Sequence, residues 1–294
     1  MQSLDRIKRR IRSIQTTSKI TGAMKLVATA KMKRLMNQFK IVSGFCGDFY
    51  GIIENLAKTI QQNKSIKKTD GNKTLWILIG SSIGLCGAFN INVCKYLLSK
   101  IKSQDKVIVV GRRGTSYLKS RGYMSNIIGT VDFSDNNLDY LEMLPLCEEI
   151  ITHFNDENFT AVNLVYTKFV NSLTFNPLHI QLLPFDSSLF KHLEDQAKII
   201  HVDLDDKNRE IEYEPNKTEI LKNIIPTFIA ASLFAAVCES RLCENGSRRN
   251  AMETATDNAK ELIDELTLEF NDARQQNITQ EINEIVAGAD GSNG

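Results

Sequence analysis

The sequence predicts a mixed α/β protein, in which a long antiparallel coiled coil made by the two ends of the chain carries an inserted Rossmann-like α/β domain. Three observations predict it. Apolar residues recur at three- and four-residue steps near both ends, the two ends carry opposite charge, and between about 74 and 185 buried strand patterns alternate with helical ones. The predicted segments are an N-terminal coiled-coil helix over 1–60, a globular domain over 74–200, a C-terminal coiled-coil helix over 216–287 and a flexible tail over 288–294.

From Met252 to Ala287 the chain holds neither proline nor glycine. Met252, Ala255, Ala259, Leu262, Leu266 and Ala273 fall at steps of three, four or seven, a narrow seam interrupted by the polar Glu269 and Gln276. At 1.5 Å per residue such a helix runs about 54 Å, too long for one compact domain to bury, so another element must cover it. At the other end Leu4, Ile7, Ile11 and Ile14 begin a register that passes through Ser18, Thr21, Lys25 and Ala28 to Met32, Leu35, Phe39 and Val42. Residues 1–40 hold eleven Lys/Arg against Asp5, a net of +10. Residues 253–290 hold ten acids against Lys260 and Arg274, a net of −8. Opposite charge favours pairing the ends with each other over self-pairing of either. Two unrelated surface helices are the alternative.

Between the ends, Gly44, Gly47 and Gly51 interrupt the first helical pattern, which resumes over 52–60 before a polar connection at 64–73. Residues 75–79 read as a buried strand, and 80–90 as a turn into a helix carrying Val93, Tyr96, Leu97, Leu98 and Ile101. Residues 106–111 form a second strand, 115–122 a short helix ended by Gly122, and 126–132 a weaker third strand. A helix over 141–154 carries Pro145 early, and strands over 159–170 and 172–184 pair through a turn at Asn171 and Ser172. A polar connection at 194–216 leads to a helix beginning near Lys217, which Pro226 is expected to kink or divide and Gly246 to interrupt.

No run of eighteen apolar residues is present, so no membrane-spanning helix is expected. The basic segment starts at once, which argues against a signal peptide, and its seam is too long and regular for a transit peptide. The six cysteines (46, 86, 94, 147, 238 and 243) do not read as a disulfide framework in a chain of this size. With no CysXxxXxxCys pair and four scattered histidines (153, 179, 192 and 201), no metal is expected.

The loop at 80–90 lies where phosphate loops occur, after a strand and before a helix. It matches neither phosphate-binding fingerprint, however, and no lysine follows its glycines until Lys95. Tight-turn glycines are the favoured reading and anion binding the alternative. The same two readings apply to Gly111–Thr115. No catalytic constellation of Ser, His and Asp or of paired carboxylates stands out. Nucleic-acid binding by residues 6–34 is open, but their charge is matched by the acidic end and no aromatic precedes Phe39. A stand-alone nucleotide-binding α/β protein with helical arms is the other alternative.

Residues 6–32 resemble the opening segment of the gamma subunit of F-type ATP synthases. Residues 84–90, GlyLeuCysGlyAlaPheAsn, are similar to its central loop, and 258–286 to its closing segment. The resemblance implies a rotor of the central stalk with no active site and no cofactor. Its partners would be the hexamer of alpha and beta subunits, the epsilon subunit and the c-ring, with the chain peripheral to the membrane and binding no nucleic acid. Proton flow would turn the ring, and the asymmetric shaft would drive the beta subunits through their conformations. Met24, Lys25, Arg248, Arg274, Gln275 and Thr279 fall in the segments that meet the beta subunits, although coiled-coil packing accounts equally well for Met24 and Thr279. Ile282, Ile285, Val286 and Ala287 form a small apolar tip suited to an apical bearing, since an apolar sleeve offers no directional bonds to break at each step. The missing leader favours the cytoplasmic side of a bacterial inner membrane, or the matrix side in a processed organellar chain. The chain departs from the family at Ser81, Ser82 and Ile83, where a more polar lead-in is usual, and at Gly22, where a lysine is common. The cysteine-bearing insert of chloroplast versions is absent, so thiol control of that type is not expected.

Overall fold

A computed structural model of the protein describes residues 2–61, 73–133, 138–156, 159–184 and 217–291. The polar connections expected at 64–73 and 194–216 lie outside these residues, apart from Lys73, as do His192, His201 and the last three residues of the expected tail. The chain forms two compact units, one of Met1–Thr29 with Arg248–Gly294 and one of Ala30–Ser247. Two long helices, α1 (Gln2–Gln61) and α5 (Lys217–Gly291), each supply residues to both.

The larger unit is built on a sheet ordered β3-β2-β1-β4-β5, from strands Ile127–Val131, Lys106–Val110, Lys73–Ile79, Phe159–Phe169 and Phe175–Leu183. Strands β1 to β4 run parallel, and β5 pairs antiparallel with β4 through the hairpin expected around Asn171. Asn171 closes it, its Oδ1 accepting from the main-chain N–H of Leu173 and Thr174. Pro177 lies on the edge strand β5, where a missing N–H does least harm.

Both faces of the sheet are covered, so its strands read as continuous apolar runs rather than alternating ones. Leu75, Ile77, Ile79, Ile108, Val162 and Leu164 join one core with α4 (Met143–Asp156) and with buried residues of α1 and α5. Trp76, Leu78, Val107, Val109 and Val165 join the other, with Val93, Cys94 and Leu97 of α2 (Phe89–Leu98) and Leu118 of α3 (Arg112–Ser120).

Three breaks expected from the sequence do not divide the long helices. Helix α1 runs through Gly44, Gly47 and Gly51, and α5 runs undivided through Pro226 and Gly246. Burial outweighs local propensity in each case. A helical glycine costs about 1 kcal/mol and an internal proline about 3 kcal/mol. Val42 and Cys46 are buried in the core, as are Phe228, Ile229, Ala230, Ala231 and Leu233 just past the proline, and each large side chain returns about 1.5–3 kcal/mol. Beginning at Pro226, α5 is also apolar enough to match a membrane span, but 78% of that window is buried inside the protein.

All six cysteines are buried. Burial is the largest cause that pushes the thiols of Cys46, Cys94 and Cys238 up to about 12 and that of Cys147 up to about 11, which keeps them protonated and unreactive. Among the described residues two buried hydroxyls, those of Ser43 and Thr167, have no hydrogen-bond partner. Thr167→Val removes the second at nearly constant shape and is expected to stabilise the fold by about 1 kcal/mol. The urea midpoint, followed by fluorescence of the single tryptophan, Trp76, checks this.

Candidate functional site

In the smaller unit the two ends of the chain pair antiparallel. Lys25 Nζ meets Glu253 Oε1 at 2.7 Å, and the hydroxyls of Thr21 and Thr256 are 2.8 Å apart, so the register falls on α1 as it rises on α5. On α1 the seam follows the expected residues throughout: Ile7 and Ala28 are buried, with Leu4, Ile11, Ile14, Ser18, Thr21 and Lys25 half-buried between and before them. On α5, Met252, Ala259 and Leu266 are buried as expected. There the seam corrects the sequence reading. Leu262 is 41% exposed, and Ile263, Phe270 and Asn277 are half-buried alongside the expected Ala255 and Ala273. A four-then-three step places them inward, so the polar Glu269 and Gln276 never occupied the seam.

The Lys25–Glu253 pair is partly exposed, so it contributes roughly 0–1 kcal/mol and acts more on register than on stability. The Thr21–Thr256 contact works the same way, since a polar pair inside a thin seam fits only one alignment. Neither partner residue, Glu253 nor Thr256, was singled out by the sequence; sliding the two seams past each other for opposed charges would have found Glu253.

In the larger unit the loop at 80–90 is held by its own chain. Gly80 N–H donates to Val110 C=O at 2.8 Å, and Arg113 N–H to Ser81 C=O at 3.0 Å. Asn90 clasps Ser81, accepting from its N–H at 2.9 Å and donating to its Oγ at 2.7 Å. Ser82 donates to Asp132, which also pairs with Arg112 at 3.1 Å. Leu85 and Gly87 take positive φ, the tight-turn geometry favoured from the sequence. The Gly111–Thr115 segment opens α3, and there Ser81 and Asp132 engage Arg113 N–H and Arg112, the groups an anion would use.

The chain matches the ATP synthase family model over residues 3–291. It is 38% identical to the ATP synthase gamma chain of Malacoplasma penetrans, over 99% of this chain and 100% of that one. It is 39% identical to the gamma chain of Ureaplasma urealyticum, over 98% and 99%. The chain belongs to the ATP synthase gamma-chain family. Its fold is similar to the central stalk of the Tetrahymena thermophila mitochondrial ATP synthase (TM-score 0.62, 25% identity, 80% of this chain and 99% of that one). It is also similar in fold to a chain of the Euglena gracilis mitochondrial ATP synthase in rotational state 3 (TM-score 0.66, 16% identity, 97% and 93%).

The residues singled out by resemblance to gamma subunits take different environments. Met24 and Arg248 are half-buried, and Lys25 is half-buried and engaged with Glu253. Arg274, Gln275 and Thr279 are exposed; Thr279 Oγ1 turns back to Gln275 C=O at 2.9 Å. Gln275 and Thr279 share a flank of α5 with Asp272, Gln276, Gln280 and Asn283, which makes that stretch of the gamma chain a polar surface. Ile282 and Ile285 are 53% and 71% exposed, while the side chains of Val286 and Ala287 lie outside the described residues. A Cβ at Gly22 would meet nothing within 4 Å, and nothing in the structure explains the glycine there.

Proposed function

We infer that this gamma chain is the central-stalk rotor of an F-type ATP synthase. It couples proton-driven rotation of the membrane ring to conformational cycling of the catalytic subunits and has no active site of its own. The observation that carries the reading is the antiparallel pairing of the chain's two ends at Lys25–Glu253 and Thr21–Thr256, in a chain alignable with gamma chains from end to end. A rotor needs a stiff member, and pairing stiffens each helix along its seam. The closure of the 80–90 loop by Asn90 and Arg113 argues against the alternative of a stand-alone nucleotide-binding protein.

Its partners are the hexamer of alpha and beta subunits, the epsilon subunit and the c-ring, and through them it is peripheral to the membrane. We place it on the cytoplasmic side of a bacterial membrane, in keeping with its resemblance to bacterial gamma chains. Met24, Lys25, Arg248, Arg274, Gln275 and Thr279 are assigned to contact with beta, the exposed polar flank at Gln275 and Thr279 supporting this for the last two. The exposed Ile282 and Ile285, with Val286 and Ala287, are assigned to the apical bearing.

Reassembly with alpha, beta and epsilon subunits on membranes stripped of their F1 sector tests the reading. The chain is expected to hydrolyse no ATP alone and to restore proton-driven ATP synthesis in the complex; hydrolysis by the chain alone sinks it. Met24→Lys is expected to lower ATP made per proton gradient applied with little change in folding. Unchanged coupling with lost folding would contradict the assignment of Met24.

A further inference from the structure

Strand β1 ends at Ile79 while β4 runs on to Phe169, and their pairing stops at Leu78 with Val165. Beyond that point the main-chain groups of β4 that face away from β5 have no strand beside them. Helix α5 takes the place of one. Thr167 N–H donates to Ser240 Oγ at 3.3 Å, Phe169 N–H to Glu239 Oε1 at 2.9 Å, and Cys243 Sγ donates to Thr167 C=O at 3.3 Å. The three side chains are 1%, 2% and 0% exposed, in the order Ser240, Glu239, Cys243.

The position is not neutral. In a sheet ordered β3-β2-β1-β4-β5 the strand order reverses between β1 and β4, and the crevice at their carboxyl ends is where open α/β sheets take ligands. Here Cys243 packs in that crevice with Cys86 and Phe89, and Gly246 admits the ring of Phe175, whose tip would lie 2.4 Å from a Cβ. On the same turn of α5, Arg241 Nη2 donates to Phe133 C=O at 3.0 Å. The turn is therefore bonded to main chain on two sides. Along 228–237, by contrast, the buried contacts of α5 come largely from alanines and other apolar side chains, which bind without direction. Hydrogen bonds weaken steeply once misaligned, so the 239–243 turn adds a directional resistance to rotation of the helix about its own axis to the packing of the apolar stretch.

We propose that Glu239, Ser240 and Cys243 form a latch that locks α5 to the sheet in rotation, so that turning force entering the sheet is passed into the helix without slip. The latch rests on the rotor reading above, and its residues are positioning residues. Its test uses the whole ATP synthase in membrane vesicles, with ATP hydrolysis and proton uptake measured together. The variants are Glu239→Ala with Ser240→Ala, Ser240→Ala alone, and Glu239→Gln. Amide exchange of the assembled complexes reports the latch itself: in the double variant the Phe169 amide is expected to exchange about tenfold faster, as suits the loss of its hydrogen bond. Hydrolysis is retained but proton uptake per ATP falls, and falls further as the opposing gradient grows. Ser240→Ala gives a smaller deficit of the same sign and decides the matter if the double variant does not assemble. Glu239→Gln keeps the parent ratio, because its amide oxygen still accepts from Phe169. Full coupling with an exposed Phe169 amide overturns the latch, and so does a loss of hydrolysis and uptake in equal proportion, which marks a merely structural role. Failure of the unaltered chain to support any proton uptake overturns the rotor reading instead.

Discussion

Gly111→Ala is expected to lower the stability of the sheet-bearing unit by about 3–5 kcal/mol, a large part of the 5–15 kcal/mol that holds a typical domain together. Two effects add. Gly111 has φ of +94°, where an L side chain is strained. Its new Cβ would also lie 2.8 Å from the Ser81 carbonyl carbon and 2.9 Å from Gly80 carbonyl atoms. These neighbours are main chain and cannot rotate away. They are also pinned, since Gly80 N–H donates to Val110 C=O, Gly111 N–H to Val131 C=O and Arg113 N–H to Ser81 C=O. Relief of the clash must therefore break a bond joining the ends of β1, β2 and β3. Urea unfolding followed by Trp76, which is buried in β1, reads this unit directly. A midpoint unchanged from that of the parent would show that the close approach is not rigid.

Asp105→Ala is expected to cost a similar amount, about 3–5 kcal/mol, through the opposite mechanism of leaving donors stranded. Asp105 is 1% exposed. Its Oδ1 accepts from Thr74 N–H at 3.0 Å, and its Oδ2 from Trp76 Nε1 and Lys102 N–H, both at 2.9 Å. Alanine leaves all three donors without their acceptor, the buried indole N–H of Trp76 among them. Asp105→Asn keeps one acceptor oxygen and turns an NH2 group toward the remaining donors, so its loss should lie between those of the parent and alanine. The Trp76 emission is expected to shift in the native state as well, because the indole N–H loses its partner. Equal stability for the parent and Asp105→Ala would mean that water replaces the carboxylate.

How much could be read beforehand differs between the two long helices. On α1 the three- and four-residue register carries through the polar Ser18, Thr21 and Lys25, and the expected seam from Leu4 to Val42 is the observed one. On α5 both Leu262 and Ile263 are apolar, and period alone could not choose between them; the partner helix turns Ile263 inward. The glycines at 44, 47 and 51 and the proline at 226 carry strong local signals that burial of neighbouring residues outweighs. The 80–90 loop showed its turn chemistry, but not that Asn90, nine residues from Ser81, would close it.

The sequence by itself determined the alternation of strands and helices, the charge opposition of the two ends and the seam of α1, because each follows from period and composition along a continuous stretch. Only the tertiary structure decided which face of α5 turns inward, that both long helices survive their glycines and proline, and that Glu239, Ser240 and Cys243 take up the open end of β4. Those outcomes depend on groups far apart in the chain, and main-chain donors left over by one strand leave no mark on the residues of the helix that will satisfy them.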